Sequence, residues 1–128
     1  MMRVAIVDDD PIVCSSLSTI LKATGTADIA WTAYDGETAV GQYEEDNPDV
    51  LLIDVQMPVM DGYQAVRAIR QSAHPRAKSI PIVAMTADAF HEDIVKANEA
   101  GMNGHLSKPI DSNLLYQMIE TVIAAPQE

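Results

Sequence analysis

The chain has a single cysteine, Cys14, so neither an internal disulfide nor a thiolate metal cage can form. Its place among helically spaced apolar residues makes that thiol a small core residue rather than a redox centre. No apolar run approaches the length of a membrane span, and the opening Met1-Met2-Arg3-Val4 carries no signal-peptide pattern. A cytoplasmic setting, with no membrane partner, is the expectation. Basic residues are scarce: eight stand against nineteen acidic ones, for a formal net charge of −11. Such a surface repels nucleic acid phosphates and anionic lipid, so no direct nucleic acid partner is expected. Neither GxGxxG nor GxxxxGK(S/T) occurs, which argues against a dinucleotide-binding or P-loop protein. Internal repeats, low-complexity stretches and linkers are also missing.

What is present fits one ordinary domain. At 128 residues, 48% hydrophobic and 21% charged, the chain can bury roughly two-thirds of the surface its unfolded form exposes. Residues 1–128 are read as a single domain with its core at about 3–123. Arg3 to Val7 is a short apolar strand ending on Asp8-Asp9-Asp10. Asp10 before Pro11 is a helix cap with proline at the first helical position, and Val13, Leu17, Ile20 and Leu21 follow at helical spacing. Gly25 closes that helix. A second strand spans Ala27 to Ala33, and a helix from Asp35-Gly36 turns Ala39, Val40 and Tyr43 inward before Asn47-Pro48 stops it. Val50 to Asp54 is a continuously apolar third strand, as expected of one covered on both faces.

The second half repeats the alternation. Asp61-Gly62 opens a helix running to about Ser72, and a polar connection leads to a fourth strand, Ile80 to Thr86, with Pro81 near its start. A helix from about Asp88 to Ala100 presents Phe90, Ile94 and Ala97 and ends at Gly101. Asn103 to Ser107 makes a short fifth strand. Asp111 caps a last helix whose buried stripe is Leu114, Leu115, Met118, Ile119 and Val122. Five strands alternating with five helices predict an α/β fold, a doubly wound (βα)5 unit with a five-stranded parallel sheet. Ligands of such folds bind outside the carboxyl ends of the strands.

Four of the five strands end on a group that can do chemistry: Asp8 and Asp9, Asp54, Thr86, and Lys108 just beyond the fifth. With strand order 2-1-3-4-5 these strands are neighbours and the groups converge on one pocket. Three crowded carboxylates repel one another and raise each other's pKa unless a cation is present. Oxygen ligands without Cys or His suit a hard ion, and Mg²⁺ takes one or two carboxylates while keeping waters and accepting phosphate oxygens. An aspartate in such a site can act as a nucleophile and form an acyl phosphate. The charge on the transferring phosphoryl group then needs donors, and Lys108 and Thr86 fit that need.

Val7-Asp8-Asp9-Asp10-Pro11, Asp54-x-x-Met57-Pro58-x-Met60-Asp61-Gly62, Met85-Thr86-Ala87 and Ser107-Lys108-Pro109 together resemble the receiver domain of two-component response regulators. The wording around Met57 to Gly62 and Ala100 to Ile110 is closest to receivers of hybrid sensor histidine kinases. The resemblance implies the flavodoxin-like fold and a phosphorelay role in which Asp54 accepts a phosphoryl group from a histidine kinase or a histidine phosphotransfer protein. It implies Mg²⁺ held by Asp9, Asp54 and the backbone carbonyl of Gln56, with Asp8 helping through a water. It implies that Thr86 moves to the phosphoryl oxygen, that Lys108 pairs with it, and that the Lys108-Pro109 peptide is cis. An output partner or a second copy would dock on the face of the fourth helix, fifth strand and fifth helix. The family's aromatic switch position, often Tyr or Phe, is His105 here, which brings a pH-sensitive group to that place.

Other readings compete. A Mg²⁺-dependent phosphatase with an aspartyl nucleophile usually carries a second carboxylate two residues on, and that position is Gln56. Self-phosphorylation and self-dephosphorylation are therefore the most enzymatic activity expected. A non-phosphorylated interaction module would not need Asp8, Asp9, Asp54, Thr86 and Lys108 together. Asp10 and Asp61 read as helix caps, His74 and His91 as surface residues, and Trp31 as packing. Gly62 reads as a backbone of permissive conformation.

Overall fold

The computed structural model describes residues 2–25, 27–87 and 91–124, the last segment without the side chains of 91–93 and 124. Strands β1 (Arg3–Val7), β2 (Asp28–Ala33), β3 (Val50–Asp54), β4 (Ile82–Thr86) and β5 (Gly104–Ser107) alternate with helices α1 (Pro11–Ala23), α2 (Gly36–Glu45), α3 (Gly62–Arg70), α4 (His91–Ala100) and α5 (Ser112–Ala124). All four pairings are parallel, and the sheet order is β2-β1-β3-β4-β5. The chain reverses its winding between β1 and β3, which is where a doubly wound sheet opens a crevice at its carboxyl edge.

Residue alternation divides the interior into two cores, one on each face of the sheet. Val4, Ile6, Leu52, Val83 and Met85 face α1 and α5, where Cys14, Leu17, Leu115 and Ile119 close over them. Ala5, Val7, Leu51, Ile53, Ile82 and Ala84 face the opposite way, against Ala39 and Tyr43 of α2, Val66 and Ile69 of α3 and Ala97 of α4. β3 lies in the middle and is buried along its whole length. Burying both faces of this strand stabilises the fold by about 1.5–3 kcal/mol per large side chain.

Some element edges differ from the sequence reading. β4 begins at Ile82, because Pro81 has no N–H for the ladder, although its carbonyl accepts from Leu51 N at 3.0 Å. α3 stops at Arg70, where the Gln71 N–H turns back to the carbonyls of Arg67 and Ile69. Leu114 is 56% exposed: α5 buries the row Leu115, Ile119 and Val122, which leaves position 114 on its flank. His74 is half-buried, not a free surface residue. Its ring meets that of Tyr43 edge-on at 5.7 Å, and its Nδ1 accepts from Arg76 N at 3.1 Å. The expected first turn of α4 at 88–90, including Phe90, and the side chain of His91 lie outside the described residues.

At the amino-terminal end of the sheet, Arg70 uses all of its donors on oxygens of two connections. Nε and Nη2 donate to Gly101 O at 3.1 and 2.6 Å, Nη1 to Ala77 O and Ile80 O at 3.2 and 2.7 Å, and Nη2 also to Asn103 Oδ1 at 2.9 Å. Gly101, at φ 99°, ends α4 in a backbone shape that side-chain-bearing residues avoid, and so aims its carbonyl at the guanidinium. Lysine has one ammonium and no planar fork. Arg70→Lys is expected to lower the unfolding free energy by about 2 kcal/mol, through carbonyls left without donors. A urea midpoint that falls with an unchanged slope will show it, and an unmoved midpoint will refute it.

Candidate active site at the carboxyl ends of the strands

Parallel strands place their last residues on one edge, and the order of this sheet brings Asp8, Asp54, Thr86 and Lys108 to neighbouring positions. Asp8 follows β1 and is fully buried. Its N–H donates to Ala33 O at 3.1 Å, continuing the β1–β2 ladder by one residue. Both its carboxylate oxygens have donors: Oδ1 accepts from Asp10 N at 2.9 Å and Oδ2 from Lys108 Nζ at 2.7 Å. Asp9 is exposed. Asp10 is a helix cap, accepting from Ile12 N at 2.9 Å, as its sequence position indicated.

Asp54 closes β3 and is 4% exposed. Oδ1 accepts from Gln56 N at 3.0 Å, and Oδ2 lies 3.4 Å from Lys108 Nζ. Burial raises its pKa to about 6; the Gln56 N–H opposes the rise, the Asp8 carboxylate adds to it and Lys108 opposes it. Lys108 is shifted upward because the hydrogen bond to Asp8 and the fields of Asp54 and Asp8 outweigh its own desolvation. One carboxylate oxygen from each of Asp8, Asp9 and Asp54 falls within 4.8 Å of the others. An all-oxygen cluster of this size matches the ligand chemistry of a hard divalent cation.

Thr86 is buried at the end of β4, and its carbonyl accepts from Lys108 N at 2.8 Å, which ties the lysine's backbone to the neighbouring strand. The Lys108-Pro109 peptide is cis. The carboxyl-end loop after β3 is shaped by Gly62, and the reason is space rather than backbone freedom. A Cβ there would lie 2.7 Å from Val55 Cα and closer still to the Asp54 carbonyl oxygen. Lacking one, Gly62 brings its N–H to 3.2 Å from Val55 O, while Asp61 and Gln64 form a reciprocal capping box at the start of α3.

The same loop holds one strained residue. Val59 has φ 68° and is 95% exposed. A β-branched side chain is disfavoured in that region, and full exposure offers no packing in return. Val59→Asn is expected to raise stability by about 1 kcal/mol, since asparagine tolerates the left-handed shape. Chemical denaturation checks it; a variant no more stable than the parent would mean that the loop relaxes without strain.

Thus the structure brings together the side chains of Asp8, Asp9, Asp54 and Lys108, with the Gln56 N–H on Asp54 and Thr86 at the end of the neighbouring strand. The link from Lys108 to Asp8 departs from the sequence reading, which gives the lysine's charge to the incoming phosphoryl group alone. Its signal was present all the same: a fully buried acid demands a cation.

Fold and site define a receiver, a phosphoacceptor unit with an acidic pocket at the carboxyl edge of a parallel sheet. The chain belongs to the response regulator receiver domain family, whose model matches residues 4–120. It is 35% identical over 121 residues to the chemotaxis protein CheY of Pseudomonas aeruginosa, covering 94% of this chain and 95% of that protein. It is 38% identical over 118 residues to the sensor protein GacS of Pseudomonas syringae, covering 91% of this chain but 13% of that much longer one. Among solved structures, the receiver domain of a Pseudomonas aeruginosa sensor histidine kinase matches with 32% identity and a TM-score of 0.82, over 97% of this chain and 98% of that one. That structure holds a magnesium ion coordinated in its active-site cleft. Among the described residues, no helix is long and apolar enough to cross a membrane.

Proposed function

We propose that Asp54 is the phosphoacceptor of this receiver, taking a phosphoryl group from a phosphohistidine on a histidine kinase or histidine phosphotransfer protein. The observation that carries the reading is the buried carboxylate of Asp54, flanked by a second buried acid and a lysine 3.4 Å away. In the transfer, the phosphorus–nitrogen bond to the donor imidazole breaks as a bond forms to a carboxylate oxygen of Asp54, leaving a neutral imidazole and an acyl phosphate. With a pKa of about 6 the carboxyl is largely ionised at neutral pH, hence nucleophilic. Lys108 supplies positive charge beside the oxygen on which the phosphoryl group arrives. Thr86, at the end of the adjacent strand, offers a hydroxyl to the same group.

The oxygen cluster fits Mg²⁺. Asp9, Asp54 and the Gln56 carbonyl would hold it, and Asp8 would act through a water, in keeping with the two donors that already occupy its oxygens. When bound, the ion neutralises charge on the carboxylates and on the phosphoryl oxygens. The whole stretch 1–128 is read as one receiver domain with its core at about 3–123. Its activity is limited to self-phosphorylation and self-dephosphorylation, since Gln56 offers no second acid for turnover on outside substrates. An output partner, or a second copy, docks on the face of α4, β5 and α5, to which Thr86 and His105 report the state of Asp54. The setting is cytoplasmic, without a nucleic acid partner.

Incubation with Mg²⁺ and acetyl phosphate, followed by intact mass and peptide mapping, tests the reading. A single phosphoryl adduct on Asp54 that EDTA prevents is the expected result. No adduct, or one mapped to another residue, would overturn it. Steady phosphate release from many phosphomonoesters would favour a phosphatase instead.

A further inference from the structure

We propose that Gly36, the first residue of α2, is a positioning residue for the phosphoacceptor site: its bare Cα seats Met60 and so fixes the loop that carries Gln56 to Asp54. The inference rests on the phosphoacceptor reading above and adds to it a residue from a helix that supplies none of the groups named there.

Gly36 is buried, and its φ lies outside the left-handed region that Gly25 and Gly101 occupy. Backbone freedom does not require glycine there, and alanine is the better helix former. Space requires it. A Cβ on Gly36 would stand 2.8 Å from both Met60 Cγ and the Met60 carbonyl oxygen, and 3.0 Å from Met60 Cβ. The thioether chain could rotate away, but the carbonyl cannot move without its loop. Met60 is delivered to this contact by a tight turn, in which its N–H donates to Pro58 O at 2.8 Å around Val59 at φ 68°. The strained turn sends Met60 back onto α2.

Neither side of the contact is free to retreat. α2 is held by its Asp35 cap, which accepts from Thr38 N at 2.7 Å, and by Ala39 and Tyr43, which are buried in the core. The loop is pinned at both ends: Val55 N donates to Met85 O at 3.0 Å, Gly62 N donates to Val55 O at 3.2 Å, and Asp61 is fixed in its capping box. A push on Met60 is therefore taken up by 56–60, the stretch that begins with Gln56. The Gln56 N–H holds Asp54 Oδ1 at 3.0 Å, and its carbonyl is the backbone member of the proposed Mg²⁺ set. Mg²⁺ demands near-ideal octahedral geometry, so a small displacement of one ligand weakens the site. Groups that orient metal ligands from behind change affinity about 10–100-fold when they are altered.

The experiment compares the full chain with Gly36→Ala. In EDTA, hydrogen exchange at the Gln56 amide, followed by NMR, reports whether that N–H still holds Asp54. Calorimetric titration with Mg²⁺ alone reads the affinity of the site, and intact mass follows phosphoryl uptake from acetyl phosphate at low and at saturating Mg²⁺. The expected result is faster exchange at Gln56, Mg²⁺ affinity about tenfold lower, and uptake that is slowed at low Mg²⁺ but recovers at saturation. A merely structural role would lower the urea midpoint and move none of these. Arg70→Lys, at the opposite end of the sheet, controls for that: it should lose stability and keep the parent's Mg²⁺ affinity. If Gly36→Ala keeps both the parent's affinity and its Gln56 exchange, the positioning role is wrong. Should that variant fail to fold, Met60→Ala decides, since emptying the seat frees the loop; a smaller loss of affinity in the same direction is expected, and an unchanged affinity overturns the proposal. If the unaltered chain takes up no phosphoryl group, the phosphoacceptor reading falls, and the positioning role falls with it.

Discussion

Asp54→Asn is expected to abolish phosphoryl uptake completely and, without Mg²⁺, to melt higher than the parent at pH 7. Amide nitrogen cannot attack phosphorus as a carboxylate does, which removes the chemistry. The stability change follows from linkage. The folded-state pKa of about 6 stands above the ordinary 3.8 of the unfolded chain, so the fold binds that proton more tightly and is destabilised when it leaves. No cost exists below about pH 4. It grows between the two pKa values and is complete at pH 7. Roughly two pKa units correspond to about 3 kcal/mol, reduced to about 2 kcal/mol because asparagine forfeits the attraction to Lys108. Thermal melts of both proteins in EDTA at pH 7 and at about pH 4 check the sign: the variant's advantage should be present at the first and absent at the second. Saturating Mg²⁺ should raise the parent's melting temperature and narrow the gap, since the ion supplies the counter-charge that the fold lacks. A variant less stable than the parent in EDTA at pH 7 would mean that Asp54 is well solvated.

Lys108→Met should act in the opposite direction, with a loss of about 3–5 kcal/mol in EDTA at neutral pH, the usual result of stripping the partner from a buried charge. The reason is Asp8 more than Asp54. Asp8 is fully buried, and Lys108 Nζ at 2.7 Å is its only cationic partner among the described residues. Methionine keeps the apolar stem of the lysine, so packing changes little. With the ammonium gone, Asp8 retains the Asp10 N–H alone, and Asp54 beside it keeps the Gln56 N–H but no cation. The deficit should shrink as pH falls and the Asp54 carboxylate protonates. It should also shrink in Mg²⁺, and urea titrations with and without the ion measure both effects. A deficit that Mg²⁺ does not reduce would place the loss in packing instead. Together the two substitutions describe a site that is strained by its own charges and relieved by a cation.

The sequence was informative about this site for a geometrical reason. Parallel strands all end on the same edge, so a chemically capable residue after each apolar run already specifies a cluster once the strand order is guessed. Asp8, Asp9, Asp54, Thr86 and Lys108 were accessible in that way, as were the caps at Asp10, Asp61 and Asp111, because capping is a local event. Features made by side chains reaching across the fold were not. Arg70 binds carbonyls up to 31 residues away, and nothing periodic in the sequence marks it. The space filled by the missing Cβ of Gly62 depends on how near the β3 loop runs to α3, a tertiary fact. Leu114 belonged to the helical stripe by spacing but falls outside it, because α5 lies on the sheet at an angle that pattern alone does not specify.

The two cores, separated by the sheet, carry a consequence for how such a chain can change over time. Side chains under α1 and α5 do not interdigitate with those under α2, α3 and α4, so core substitutions on opposite faces should add in their effects on stability. Helices on one face can therefore be rewritten, and with them whatever surface they offer to other molecules, without repacking the other face. The acidic pocket lies at the rim shared by both. One chemistry can thus be kept while its acquaintances are replaced, half a protein at a time.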